Sequence, residues 1–113
     1  MTCLFCRIVA REMPAQIVFE NDHVLAFRDI HPAAPTHVLI IPKAHLSALT
    51  DAEPAHRHAL GELFLAARAV AEKENVAHTG FRVVMNTGKH ANQTVHHVHL
   101  HVMGGREMSW PPG

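Results

Sequence analysis

The run His97-Val98-His99-Leu100-His101-Val102-Met103 constrains this chain more than any other stretch. Successive side chains of a β-strand point to opposite faces, so strict alternation sets three imidazoles on one face and Val98, Leu100 and Val102 on the other. The apolar face needs a covering layer from the same domain. Histidines scattered on a solvated strand face would not alternate this strictly beside a core-facing row. The chain carries twelve histidines, no tyrosine and one tryptophan, and five of the twelve fall between His90 and His101. Any account of function has to use them.

At 113 residues the chain is one domain's worth, enough to bury a core and to carry one main site, so residues 1–113 are expected to form a single domain. Ten basic and ten acidic side chains leave no net field to draw it to nucleic acid or anionic lipid. The first residues, Met1 to Arg7, show no basic segment followed by a long apolar one, and no apolar run approaches membrane-spanning length. A cytoplasmic protein with neither a nucleic acid nor a membrane partner is expected. Two cysteines spaced Cys3-x-x-Cys6 are too few for a disulfide framework and suit a metal or redox pair in a reducing compartment.

No repeat, low-complexity tract or linker interrupts the chain. Apolar residues Leu4, Phe5, Ile8 and Val9 have helical spacing, which predicts a short helix within Cys3 to Glu12, ended by Pro14. Gln16–Glu20 and His23–Arg28 flank the turn-prone pair Asn21-Asp22 and read as a hairpin. The β-branched run His37–Ile41, stopped by Pro42, is a third strand. Thr50 and Glu53 have capping-box spacing ahead of Pro54, and Leu60, Leu63, Phe64, Ala67 and Val70 make one stripe, predicting a helix from about Pro54 to Asn75. Phe81–Asn86 reads as strand four, Gly88–Thr94 as a loop, and His96–Met103 as strand five. The expected class is α+β: one antiparallel sheet covered by a helix on one face, the other face free for a ligand or partner.

The imidazole row suits a metal site or nucleophilic and acid–base catalysis. Zinc catalysis alone would leave the polar loop before the row, and the apolar N-terminal half, without a role; nucleotide binding gives both one.

His97-Val-His-Leu-His-Val-Met103 resembles the His-φ-His-φ-His-φ-φ motif of the histidine triad (HIT) superfamily. The likeness extends collinearly through Ala26-Phe-Arg-Asp-Ile30, Ala34-Pro-Thr-His-Val-Leu-Ile-Ile-Pro-Lys43, Val84-Met-Asn86, Gly104-Gly-Arg106 and Trp110-Pro-Pro-Gly113. Within that superfamily it resembles the histidine triad nucleotide-binding (Hint) branch of purine nucleoside phosphoramidases. The resemblance implies a HIT-like fold of about five antiparallel strands with one long and one short helix, two sheets joining in a homodimer. It implies His99 as the nucleophile on the α-phosphorus of a purine nucleotide, His37 and His97 as orienting residues, and His101 as phosphate contact and proton donor. A backbone carbonyl would fix the reactive tautomer. Asn86 and Thr94 would position phosphate and leaving group, with loop amides at Gln93, Thr94 and Val95 on its oxygens and no catalytic metal. Asp29 would accept the ribose hydroxyls, although an aspartate just before Pro32 equally suits a turn cap. Ile8, Phe27, Ile30 and Leu39 would line the base pocket; core packing is the default for any one of them.

The loop Lys89-His-Ala-Asn-Gln-Thr94 departs from the Gly-Gly-Gln-Ser type usual in that branch, though Asn92 tolerates the left-handed conformation that glycine allows. His96 replaces a common aromatic residue and should face away from the triad. By the same resemblance Cys3, Cys6, His45 and His97 would hold a structural zinc, a closed set of two thiolates and two imidazoles. Trp110 would approach the partner's site. A dinucleoside polyphosphate hydrolase with the same nucleophile, and a nucleotide-binding regulatory module with little turnover, are the competing functions.

Overall fold

In the computed structural model, which describes residues 3–113, the chain forms a five-stranded antiparallel sheet with one long helix and one short one. Met1 and Thr2, part of the segment read as lacking a leader, lie outside the described residues. The short helix α1 is Leu4–Val9, followed by β1 Ile17–Glu20, β2 Val24–Arg28 and β3 Thr36–Pro42. The long helix α2 is Arg57–Lys73, and β4 Phe81–Val84 and β5 Leu100–Gly104 complete the sheet in the order β1-β2-β3-β5-β4.

The two faces of the sheet are buried separately. Val24, Ala26, Val38, Ile40, Leu100 and Val102 pack with Leu63, Ala66, Ala67 and Val70 of α2. Leu25, Phe27, Leu39 and Ile41 alternate to the opposite face and pack with Phe5 and Ile8 of α1. The second face is therefore partly covered, and not wholly free as expected. Among the described residues no helix is long and apolar enough to cross a membrane.

Several boundaries differ from the sequence expectation. Strand five starts at Leu100 instead of His96, because its ladder with β3 ends at the pair Ile40 and Leu100. Pro42, at the end of β3, has no N–H to offer a ladder, and the Val98 N–H turns to the Leu46 carbonyl at 2.6 Å. His97 and His99 thus sit on an irregular extended segment, although Val98 still faces the α2 core. Strand four stops at Val84, two residues short of Asn86. Pro14 does not end the first helix: Arg11 takes a left-handed φ of 63°, and the Glu12 N–H closes on the Arg7 carbonyl at 2.9 Å, a Schellman-type stop.

The capping box is formed by Glu53 and His56, not by Thr50 and Glu53, and it caps the 3₁₀ turn ahead of the long helix. The Glu53 N–H donates to His56 Nδ1 at 2.8 Å, and Pro54–His56 forms a 3₁₀ turn leading into α2. Thr50 lies in the preceding 3₁₀ turn, Leu49–Asp51. The helix ends at Lys73, and Asn75 takes a left-handed φ of 60°. Phe64 leaves the predicted stripe and is 55% exposed; the buried row is Leu63, Ala66, Ala67, Val70 and Ala71. Alanines on that row let the helix lie close to the sheet. Beyond the helix end, Val76 comes so near β5 that a Cβ added at Gly104 would stand 2.8 Å from Val76 Cβ.

Candidate active site

The second face of the sheet brings together His37 from β3, His101 from β5, and His97 and His99 from the segment before β5. His37, His97 and His99 are buried. Hydrogen bonds fix the tautomer of each ring. His99 Nδ1 lies 2.7 Å from the His97 carbonyl, an acceptor only, so Nδ1 carries the proton and Nε2 keeps its lone pair. A single backbone bond inside the triad thus leaves Nε2 as the ring nitrogen with a free lone pair. The edge of Phe5 packs on the same ring, with centroids 5.1 Å apart, and on Phe27 at 5.5 Å.

His101 is set by a relay. The Ala33 N–H donates to His37 Nδ1 at 2.9 Å, which leaves the His37 proton on Nε2. That Nε2–H faces His101 Nδ1 at 2.9 Å, so His101 carries its own proton on Nε2, available as a donor. Arg106 anchors the start of this relay by donating Nε and Nη2 to the Ala33 carbonyl at 3.2 and 3.1 Å. Gly105 permits the approach, since a Cβ there would meet Pro35 Cβ at 2.9 Å. Burial, with the neighbouring His99 and His37, pushes His101 from 6.5 down to about 4. Burial lowers His37 as well, against the pull of Asp29. The relay is therefore neutral at pH 7, and an anion placed against it would favour protonation.

Asp29 is half-buried just after β2. Its Oδ1 accepts from the His31 N–H at 2.8 Å and its Oδ2 lies 3.4 Å from His37 Nε2. It serves as the turn cap and also touches the relay, leaving further lone pairs for a ligand. Ile8, Phe27 and Leu39 cluster together beside the imidazoles, joined by Phe5 and flanked by Val95. Ile30 does not join them; it is 87% exposed on the turn beyond Asp29. Phe5 was visible in the sequence only as part of a helical apolar stripe, and nothing in its spacing announced contact with His99.

The loop before the triad closes on itself. Asn92 adopts the left-handed conformation, φ 62° and ψ 42°. The expectation for Gln93 needs correction: its N–H is taken by the Gly88 carbonyl at 3.1 Å, so it is not a free amide for a ligand. Its side chain accepts from the Gly88 N–H and donates to the Ser47 and Val95 carbonyls. Gln93 braces the loop, while Thr94 is exposed and Asn86 half-buried. His96 is exposed, as its face predicted.

On the α1 side, Cys3, Cys6, His45 and His97 converge, their ligand atoms all within 4.8 Å of one another. His97 donates Nε2–H to the Pro42 carbonyl at 2.8 Å, which turns the Nδ1 lone pair toward the cysteines. His45 Nδ1 is 3.2 Å from His97 Nδ1, Cys3 Sγ 3.3 Å from His97 Nδ1, and Cys6 Sγ 3.3 Å from His45 Nδ1 and 3.6 Å from His97 Nδ1. Tetrahedral zinc at its usual bond lengths would set nitrogens about 3.3 Å apart and nitrogen to sulfur about 3.6 Å apart. The four residues fit such an ion, and Ser47 Oγ at 3.1 Å from His45 Nε2 orients the outer imidazole.

The chain is similar to known proteins over nearly its whole length. Residues 10–108 match the HIT domain model. The purine nucleoside phosphoramidase of Escherichia coli K12 is 45% identical over 105 residues, covering 93% of this chain and 88% of that protein. A 14 kDa zinc-binding protein of Zea mays is 48% identical over 112 residues, covering 97% and 87%. The crystal structure of a HIT family hydrolase from Legionella pneumophila superposes with a TM-score of 0.97 at 46% identity, covering 99% of this chain and all of that one. The chain belongs to the HIT domain family of hydrolases.

Proposed function

We propose that the chain hydrolyses purine nucleoside phosphoramidates, AMP joined through a P–N bond to an amine, with aminoacyl-adenylates as a related class. The observation that carries this is the Nδ1–H of His99 bonded to the His97 carbonyl, which leaves an Nε2 lone pair beside a neutral Nε2–H donor on His101. His99 Nε2 attacks the α-phosphorus in line, forming a P–N bond to the enzyme while the bond to the amine breaks. The amine leaves with the electron pair and takes the Nε2 proton of His101, whose Nδ1 accepts from the His37 Nε2–H. Water then attacks phosphorus, the bond to His99 breaks, and AMP departs as the water proton passes to His101. Splitting one displacement into two lowers the barrier of each; acid–base help of this kind is worth about 10²–10⁴-fold. Phe27, Ile8 and Leu39, with Phe5, offer the base an apolar wall, Asp29 faces the ribose, and Asn86, Thr94 and Val95 border the phosphate.

No catalytic metal enters this chemistry. Zinc held by Cys3, Cys6, His45 and His97 would tie α1 to the segment carrying the triad, a structural role supported by the ligand spacing. Two copies are expected to pair through β4, because β4 is an edge of the sheet with an unbroken register, whereas β1, the other edge, is irregular between Ile17 and Phe19. Light scattering showing a monomer at micromolar concentration would refute the pairing.

The test is release of AMP from adenosine 5′-phosphoramidate in EDTA, for the wild type beside His99→Ala. Turnover present in the wild type and lost in the variant is the expected result. Equal rates in both would sink the proposal, and wild-type turnover on diadenosine triphosphate alone would make the protein a polyphosphate hydrolase.

A further inference from the structure

A second group of metal-ligating side chains lies outside the triad and the cysteine cluster. His23 stands on the β1–β2 turn, and His58 and Glu62 stand one turn apart on α2; their ligand atoms all lie within 4.8 Å of one another. We infer that His23, His58 and Glu62 form a second, solvent-facing site for a borderline divalent cation such as Zn²⁺, Co²⁺ or Ni²⁺. It shares no residue with the site described above.

The ligand chemistry selects the ion class. Two imidazoles and one carboxylate suit zinc and its first-row neighbours, whereas calcium and magnesium prefer oxygen alone. Three protein ligands leave open positions for water. Placement on the backbone comes from the fold. Residues at i and i+4 share a helix face, and His58 Nε2 already lies 3.5 Å from Glu62 Oε1. Leu63, next to Glu62, is fully buried and fixes the rotation of that face against the sheet. On the other side, the His23 N–H donates to Asn21 Oδ1 at 2.8 Å and its carbonyl accepts from the Lys43 N–H at 2.8 Å. Val24, which follows, is fully buried.

The His23 and His58 rings meet edge to face, with centroids 4.8 Å apart at 82°. Both backbones are thus pinned, and rotation of exposed side chains is all that is needed to draw the three atoms to the roughly 3.3 Å spacing of a shared tetrahedral ion. An i,i+4 ion pair explains His58 and Glu62 alone. It does not account for an imidazole from a separate element brought against them. A bound ion would clamp the hairpin to the start of α2, so occupancy should raise thermal stability without touching the triad.

The experiment is a Co²⁺ titration of the full chain after removal of bound metal, followed by absorbance and calorimetry. Filling the cysteine cluster produces a thiolate-to-cobalt charge-transfer band, whereas the new site adds only weak visible bands. The wild type should bind one equivalent without charge transfer, and His58→Ala and His23→Asn should each weaken that equivalent at least tenfold. His78→Ala, a change of an exposed histidine elsewhere, should leave it intact. Melting temperature should rise with Co²⁺ in the wild type more than in either variant, and AMP release in EDTA should be equal in all. A wild type lacking that equivalent, or one unaltered by both substitutions, overturns the site. Loss in His58→Ala but not in His23→Asn overturns the three-ligand assignment in favour of a helix pair alone.

Discussion

The depressed pKa of His101 makes the stability of this protein fall in acid by an amount that can be worked out. An unfolded imidazole titrates near 6.5 and His101 near 4 in the fold. At pH 7.5 both states hold the ring neutral. As pH drops below 6.5 the unfolded chain takes up a proton that the folded chain refuses, so folding loses free energy until about pH 4, where the folded ring also protonates. The full difference corresponds to about 3 kcal/mol, and at pH 5 about 2 kcal/mol of it has been lost. His37 and His97, also lowered chiefly by burial, add losses of the same sign. Replacing His101 by Gln keeps an acceptor for the His37 Nε2–H and removes the titration. Urea unfolding at pH 7.5 and pH 5.0, at one fixed protein concentration, reads the effect. The wild type should lose about 2 kcal/mol more than His101→Gln between those conditions, a gap of about 1 M in the difference of midpoints. Equal losses in the two proteins would refute the assignment of a buried, neutral His101 and the relay built on it.

Other substitutions probe the remaining supports. Arg106→Leu removes both hydrogen bonds that clamp the Ala33 carbonyl and should lower kcat about tenfold with KM little changed, a net loss of about 1.4 kcal/mol; unchanged kcat would show that Ala33 holds His37 unaided. Gly104→Ala drives a Cβ into Val76 and should destabilise the fold by about 1–3 kcal/mol in urea titration. Cys6→Ser should abolish stoichiometric zinc in elemental analysis and lower the melting temperature, whereas protein purified without chelator and free of zinc would end the structural-zinc proposal.

Local pattern made much of this protein legible. The alternation from His97 to Met103 gave the imidazole face and the core face, and proline and turn residues separated the strands in correct order. Asn92 could be placed in a left-handed turn because its short side chain tolerates one. What the sequence did not reveal depends on contacts between distant segments. The start of β5 at Leu100 follows from where β3 stops offering N–H groups. The stripe of α2 omitted Ala66 and Ala71 and included Phe64, since small residues reveal their burial only once the sheet lies against them.

The sequence by itself determined the row of imidazoles and the α+β class, because strand periodicity is a property of the chain; the cysteine–histidine set entered only through the family resemblance. The tertiary structure alone decided which nitrogen of each imidazole carries a proton. That choice rests on the carbonyls of His97 and Pro42 and the N–H of Ala33, and backbone groups of this kind have no signature in side-chain identity.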